Sequence, residues 1–217
     1  VVLQALSREN WYDGITLAVN SQKKISANNN TKTIGLALAE LVNEDELVYL
    51  SKHPSDIVRS WAAWISTAPV KSPQPLSVIT KPYAADTHFG VREVIIFATK
   101  EKFAADVRKS VAVLSKWTAD EDENVRRFVA EVLRPIGVWT KKIPTLQDNP
   151  AIGLPLIEPL KADPVKYVQN SVANWLNDAS KSQPNWVKQV CAEWSASSYT
   201  KATTYIVKRA LRTINKA

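Results

Sequence analysis

Residues 120–133 read DEDENVRRFVAEVL and residues 163–176 read DPVKYVQNSVANWL. Each begins with an acidic cap and a turn, then gives a valine followed by Arg or Gln, with apolar side chains recurring at i, i+3, i+4 and i+7. That period belongs to a helix with one buried face. Two upstream segments align with them, PSDIVRSWAAWIS at 54–66 and DTHFGVREVIIFA at 86–98. Anchored on Val58, Val91, Val125 and Val168, the copies are 33, 34 and 43 residues apart, and a weaker fifth copy, YIVKRALRTI, puts Val207 39 residues further on. Between them lie ordinary helices such as Val107–Trp117. This is the grammar of HEAT-type helical pairs. A single pair cannot bury its apolar face, so neighbours stack into a curved solenoid with a concave surface. The expected fold is all-α, one HEAT-like domain over residues 1–217.

Working outward, residues 1–50 read as helices with polar breaks. Trp11–Val19 carries an apolar face, SANNNT is a turn or cap, and Ile34–Leu50 reads as one strong helix. The 217 residues are 45% hydrophobic and 23% charged, which excludes a disordered chain and allows a sizeable core. No apolar run reaches the ~18 residues of a membrane span. Cys191, the single cysteine, sits in an apolar helical run and reads as a buried, inert thiol suited to a reducing compartment. With no secretory pattern at the start, a cytoplasmic location is expected.

The net charge of +7 is unevenly spread. From Lys181 onward seven Lys/Arg face Glu193 alone, so +6 lies in the last 37 residues. Such a cluster fits a polyanionic partner, whose neutralised phosphates release counterions.

Several residues stand out against the repeat. Arg59, Arg92 and Arg126 follow the anchor valine, where an inter-repeat Asp–Arg ladder is the structural reading and a row of phosphate contacts the functional one. Arg126-Arg127 is doubled, leaving one of the two for a partner. Trp61, Trp64, Trp117, Trp186 and Trp194 recur at helical spacings and read as core. Glu131 falls six residues after its anchor, where other copies carry Trp64, Phe97 and Asn174. A buried, unpaired charge there is costly, so Glu131 is either paired with Arg134 at i+3 or functional. Asp178 lies one turn beyond Asn174, late in a helix expected to run on to Pro184, where it opposes the helix macrodipole. Trp139 follows Pro135 and Gly137, and is presented from a constrained turn rather than a helix face. His53 and His88 fall in pre-helix turns, and no metal cluster, phosphate-binding glycine loop or nucleophilic triad appears. A carboxylate pair with an aromatic fits cleavage of a glycosidic bond through a cationic sugar transition state.

The segments HFGVRE (88–93), VRRFVAEVLRPIGVW (125–139), DPVKYVQNSVANWLNDASKSQPNWV (163–187) and TTYIVKRALRTI (203–214) closely resemble the DNA alkylation repair glycosylases of the AlkC branch, relatives of AlkD. The resemblance covers roughly residues 54–217. It implies a solenoid that grips alkylated duplex DNA and removes cationic bases such as 3-methyladenine, and in the AlkC branch also 3-methylcytosine and 1-methyladenine, without the base flipping usual for glycosylases. By motif, Glu131 corresponds to an active-site carboxylate and Trp139 to the aromatic at the lesion's deoxyribose. Asp178 matches the carboxylate that stabilises the oxocarbenium ion and positions water, and Glu93 a further acid. Phosphate contacts are expected from Arg127, Arg134, Lys208, Arg209 and Arg212. The enzyme is expected to act as a monomer with no metal or cofactor. The rival expectation is a non-catalytic HEAT module that binds damaged or branched DNA, or a protein scaffold.

Overall fold

The computed structural model describes residue 4 and residues 8–22, 26–138 and 140–216, the side chain of Asn10 excepted. Trp139 therefore lies outside the described residues. Among the described residues there is no strand, and no helix is long and apolar enough to cross a membrane. The helices are α1 (Tyr12–Asn20), α2 (Ala27–Ala39), α3 (Glu44–Ser51), α4 (Asp56–Thr67), α5 (Pro73–Ala84), α6 (Phe89–Ala104), α7 (Val107–Leu114), α8 (Glu123–Val132), α9 (Pro144–Asp148), α10 (Leu154–Ile157), α11 (Lys166–Ala179), α12 (Pro184–Ser197) and α13 (Lys201–Ala210). The fold is the all-α helical repeat expected from the valine-anchored pattern.

One row runs α2, α4, α6, α8, α11, α13, each helix packed on the next, and the second helices of the pairs back it. The anchors explain the stacking. Val58, Val91, Val125 and Val168 each occupy the third position of their helix and are buried. The same position in α13 holds Thr203, also buried, whose hydroxyl donates to the Lys161 carbonyl at 2.8 Å. The fifth copy is thus anchored on Thr203, one helical turn before Val207, a shift hidden because a polar residue took the anchor.

Each repeat also begins alike. The Arg59, Arg92 and Arg126 guanidinium groups each donate to the carbonyls six and five residues back. Gln169 reaches the carbonyl six back in the fourth copy. The ladder itself is discontinuous. Arg59 pairs with Asp86 and Arg126 with Asp163, both at 2.7 Å, whereas Arg92 meets no carboxylate among the described residues. Asp120, its counterpart, is taken by Lys81 at 2.6 Å. Burial alone would raise the Asp86 pKa, but hydrogen bonds from Arg59 and from the His88 N–H hold it below the ordinary value.

Three boundaries differ from expectation. Ile34–Leu50 is two helices, because Asn43 and Glu46 form a capping box that starts α3 anew. Ser26 caps α2, and the asparagine run forms its first turns. Finally, α11 ends at Ala179 instead of running to Pro184. The tryptophans pack as expected, with Trp194 buried and the other four partly buried against the core. Cys191 is buried, and burial pushes its thiol up to about 11, which keeps it protonated and inert.

Candidate active site

The α8 helix stops at Val132, and Pro135 forbids its continuation. The chain turns at Gly137, whose φ is 70°. A side chain there would be strained, and its Cβ would sit 2.5 Å from Thr140 Oγ1 and 2.7 Å from Lys100 Nζ. This turn delivers Arg134 and the Gly137 N–H to the end of α11, where Asp178 waits.

Arg134 is the hub. Its Nε donates to Asp178 Oδ2 at 2.9 Å and its Nη1 to Glu131 Oε2 at 3.1 Å. Gly137 N–H donates to the same Oδ2 at 2.9 Å, while among the described residues Asp178 Oδ1 has only Lys181 Nζ at 3.5 Å. Asp178 is 3% exposed and Arg134 9%. Burial alone would lower the Arg134 pKa, but Glu131 and Asp178 outweigh it and hold the guanidinium above its ordinary value. The unfavourable placing of Asp178 in a last helical turn is thereby offset by a cation and a backbone donor.

A cavity of about 190 Å³ lies in front of this cluster, lined by Glu93, Lys100, Arg127, Glu131, Arg134 and Asn174, among others. Val138 and Thr140 also line it, and they flank Trp139 in the chain. Sequence reasoning missed Lys100, which is buried on α6 with its Nζ donating to the Arg134 carbonyl at 2.9 Å. Burial and the neighbouring Arg134 lower its pKa to about 8, against opposing pulls from Asp178 and Glu131. The signal was present in the register, since Lys100 stands nine residues after its anchor, as Arg134 does after Val125.

The structure brings Glu93, Glu131 and Arg134 to one cavity and sets Asp178 behind Arg134, outside its wall. The cations divide. Arg134 is engaged by two carboxylates instead of lying open on the surface, and Arg127 is buried, bound to Glu93 at 2.6 Å and stacked 4.3 Å over Tyr167. Arg212 donates at 2.9 Å to Oδ1 of Asn174, itself a lining residue of the cavity, and Arg209 lies over Tyr205. Burial, and Arg209 beside it, lower the Arg212 pKa. Lys208 is exposed at the α13 position that earlier copies fill with the buried Ala63, Ile96 and Ala130. Among the described residues no three metal-ligating side chains converge.

The chain is thus of the class of all-α helical-repeat proteins, with carboxylates and cations paired at one cavity. Within it, the model of the DNA alkylation repair enzyme family matches residues 94–214, and the chain belongs to that family. The uncharacterized protein YhaZ of Bacillus subtilis (strain 168) is 38% identical over 120 residues, which cover 55% of this chain and 33% of YhaZ. Among solved structures, the Pseudomonas fluorescens alkylpurine DNA glycosylase AlkC, bound to DNA containing an abasic site analog, aligns with a TM-score of 0.73 and 22% identity, covering 99% of this chain and 62% of that one. AlkD2 from Streptococcus mutans aligns with a TM-score of 0.70 and 21% identity, over 92% of this chain and 97% of its own. These two likenesses are of fold.

Proposed function

We propose that this protein is a DNA glycosylase that hydrolyses the N-glycosidic bond of positively charged N-alkylated bases, 3-methyladenine foremost, in duplex DNA. The observation that carries the reading is Arg134 holding Glu131 and Asp178 together at a groove cavity bordered by further cations. A cationic alkylated base is already a good leaving group, so the demand on the protein is to stabilise the positive sugar. A carboxylate 4 to 6 Å from that charge, at an effective dielectric of about 20, contributes about 3 to 4 kcal/mol. That is roughly a hundred- to a thousandfold in rate.

Roles follow from position. Glu131 lines the cavity with Oε1 unpaired among the described residues, so it faces the sugar. Asp178, fixed through Oδ2, acts through its field and through Oδ1, which is left to hold water. Glu93 positions Arg127 and adds negative charge to the cavity wall. Trp139 supplies an aromatic face to the deoxyribose, a cation–π contribution of about 1 kcal/mol. Arg209 and Arg212 contact backbone phosphates. Arg134 and Arg127 instead hold the acids in place.

The reading is tested by incubating the protein with alkylated duplex DNA and identifying released bases by mass. Free 3-methyladenine above the spontaneous rate is expected. Salt-sensitive duplex binding with no base released would instead favour the non-catalytic module.

A further inference from the structure

Six ionisable groups are held together at the cavity and behind its wall. Glu93, Glu131 and Asp178 carry three negative charges, and Lys100, Arg127 and Arg134 three positive ones, so the cluster is balanced while all are ionised. The two guanidinium groups are bound to the carboxylates and keep their protons at any working pH. Lys100 differs. It is buried, and among the described residues its Nζ meets no carboxylate and donates to one acceptor, the Arg134 carbonyl at 2.9 Å. A buried ammonium with one of three donors used is poorly solvated, whereas the neutral amine keeps the same bond. Burial and the guanidinium of Arg134 accordingly lower its pKa to about 8. Lys102, two residues on, instead donates to the Thr67, Ala68 and Val70 carbonyls. Other charges on the elements packed against α6 are engaged away from Lys100: Asp56 with His88, Arg59 with Asp86, Lys81 with Asp120, Lys109 with Asp106, Arg126 with Asp163 and Lys141 with Glu101. Lys32 lies over Trp64, and Arg108 and Glu123 are exposed. At and above neutral pH, Lys100 is therefore the member of the cluster that sheds its charge.

We propose that Lys100 sets the charge of the active site and thereby its rate: protonated, it cancels part of the carboxylates' field, and on losing its proton it leaves the site one unit more negative and faster toward cationic bases. This rests on the reading that the site stabilises a positive sugar. The amine touches no substrate; it acts from behind the cavity wall through its field. Cleavage draws positive charge from the base onto the sugar, toward the carboxylates, so a proton on Lys100 opposes that step. A unit charge about 8 to 10 Å from the sugar, at an effective dielectric of about 20, changes the rate by roughly tenfold. The lysine is kept because it also builds the turn. Its Nζ holds the Arg134 carbonyl and lies so near Gly137 that a Cβ there would come within 2.7 Å of it. That turn delivers the Gly137 N–H to Asp178, and it survives deprotonation because the neutral amine still donates to the same carbonyl.

The test is single-turnover release of 3-methyladenine from alkylated duplex DNA with the protein saturating, so that binding drops out, from about pH 6.5 to 9.5. Each rate is divided by the spontaneous rate on the same DNA, which removes the substrate's own ionisation. The wild-type ratio is expected to rise roughly tenfold through about pH 8. Lys100→Arg keeps the charge and is expected to stay at the low-pH level throughout. Lys100→Met is expected to show the high-pH wild-type rate at every pH, whereas a purely structural role would lower its rate by a factor that does not vary with pH. Should Lys100→Met melt as an unfolded protein, the comparison of wild type with Lys100→Arg decides. The proposal is overturned if the wild-type ratio is flat or falls across the window, if Lys100→Arg rises as wild type does, or if a folded Lys100→Met shows the same rise. Base release with a flat profile overturns only this proposal; no release at any pH overturns it together with the glycosylase reading.

Discussion

Asp178→Asn separates charge from geometry at this site. Both fixed hydrogen bonds to Asp178, from Arg134 Nε and from Gly137 N–H, arrive at the same oxygen, Oδ2. An asparagine with its carbonyl oxygen there keeps both, and its amide nitrogen replaces Oδ1, where among the described residues only Lys181 approaches, at 3.5 Å. The turn at Gly137 is therefore retained, and Arg134 keeps Glu131. The stability cost is that of weakening charge-assisted bonds, about 1 to 2 kcal/mol. The rate cost is the lost field at the sugar, about 2 kcal/mol for a charge about 8 Å away behind Arg134. Release of 3-methyladenine is thus expected to fall about thirtyfold, with duplex affinity, read by anisotropy, unchanged or slightly raised. Release within threefold of wild type by a folded, DNA-binding variant would refute the role given to Asp178. A loss of release with equal loss of binding would mean that Asp178 only shapes the turn.

Removing the hub is expected to cost far more stability. Arg134→Met strands two carboxylates, one of them buried, which costs about 3 to 5 kcal/mol and lowers the melting temperature by roughly 10 °C. Most of that loss is expected to disappear in an Asp178→Asn, Glu131→Gln background; equal losses in both backgrounds would deny the coupling. Lys100 makes a pH-dependent contribution. Its folded pKa of about 8 lies below the ordinary 10.5, so between those values the unfolded chain binds a proton that the folded chain does not. Stability from this group therefore rises with pH from about 8 to 10.5, by about 3 kcal/mol in all. Denaturant titrations of Lys100→Met across that window are expected to lack the rise. For the groove, Arg209→Gln, Arg212→Gln and Lys208→Gln are each expected to reduce the salt dependence of duplex binding by about one counterion.

The fold was legible because its anchors are apolar and periodic. Val58, Val91, Val125 and Val168 announce the stack, and a stacked solenoid follows from the impossibility of burying one pair alone. What the pattern hid was polar substitution at a structural position. Thr203 takes the anchor place by sending its hydroxyl to the Lys161 carbonyl, and the eye moves instead to Val207. The ladder misled in the opposite way. Arg92 has the right residue at the right place, but whether its carboxylate is free depends on Lys81, a residue of another helix that no local spacing reveals. In the site, Glu131 and Arg134 were visible as an i+3 pair on one helix. That Arg134 also binds Asp178 was not, because it requires the turn at Gly137 to fold the chain back 44 residues away.

A helical repeat carries its stability at some positions and leaves others open to chemistry. The anchor and the residues four and seven after it are buried in copy after copy: Ala62 and Ile65, Ile95 and Ala98, Val129 and Val132, Val172 and Trp175. The residues two, six and nine after the anchor run down the other face. In α6 they are Glu93, Phe97 and Lys100, and in α8 and the turn after it they are Arg127, Glu131 and Arg134, all six of them lining the cavity. From α11 the same row contributes Asn174. With Thr203 as the anchor, α13 contributes Tyr205 and Arg209, and the turn after it Arg212, which reaches Asn174 across the helix pair. Substitution along this stripe changes charge and reach while leaving the buried anchor positions in place. The carboxylates, lysine and arginines accumulate there for that reason, and the hub that holds them is a single arginine whose removal is predicted to unfasten site and fold together.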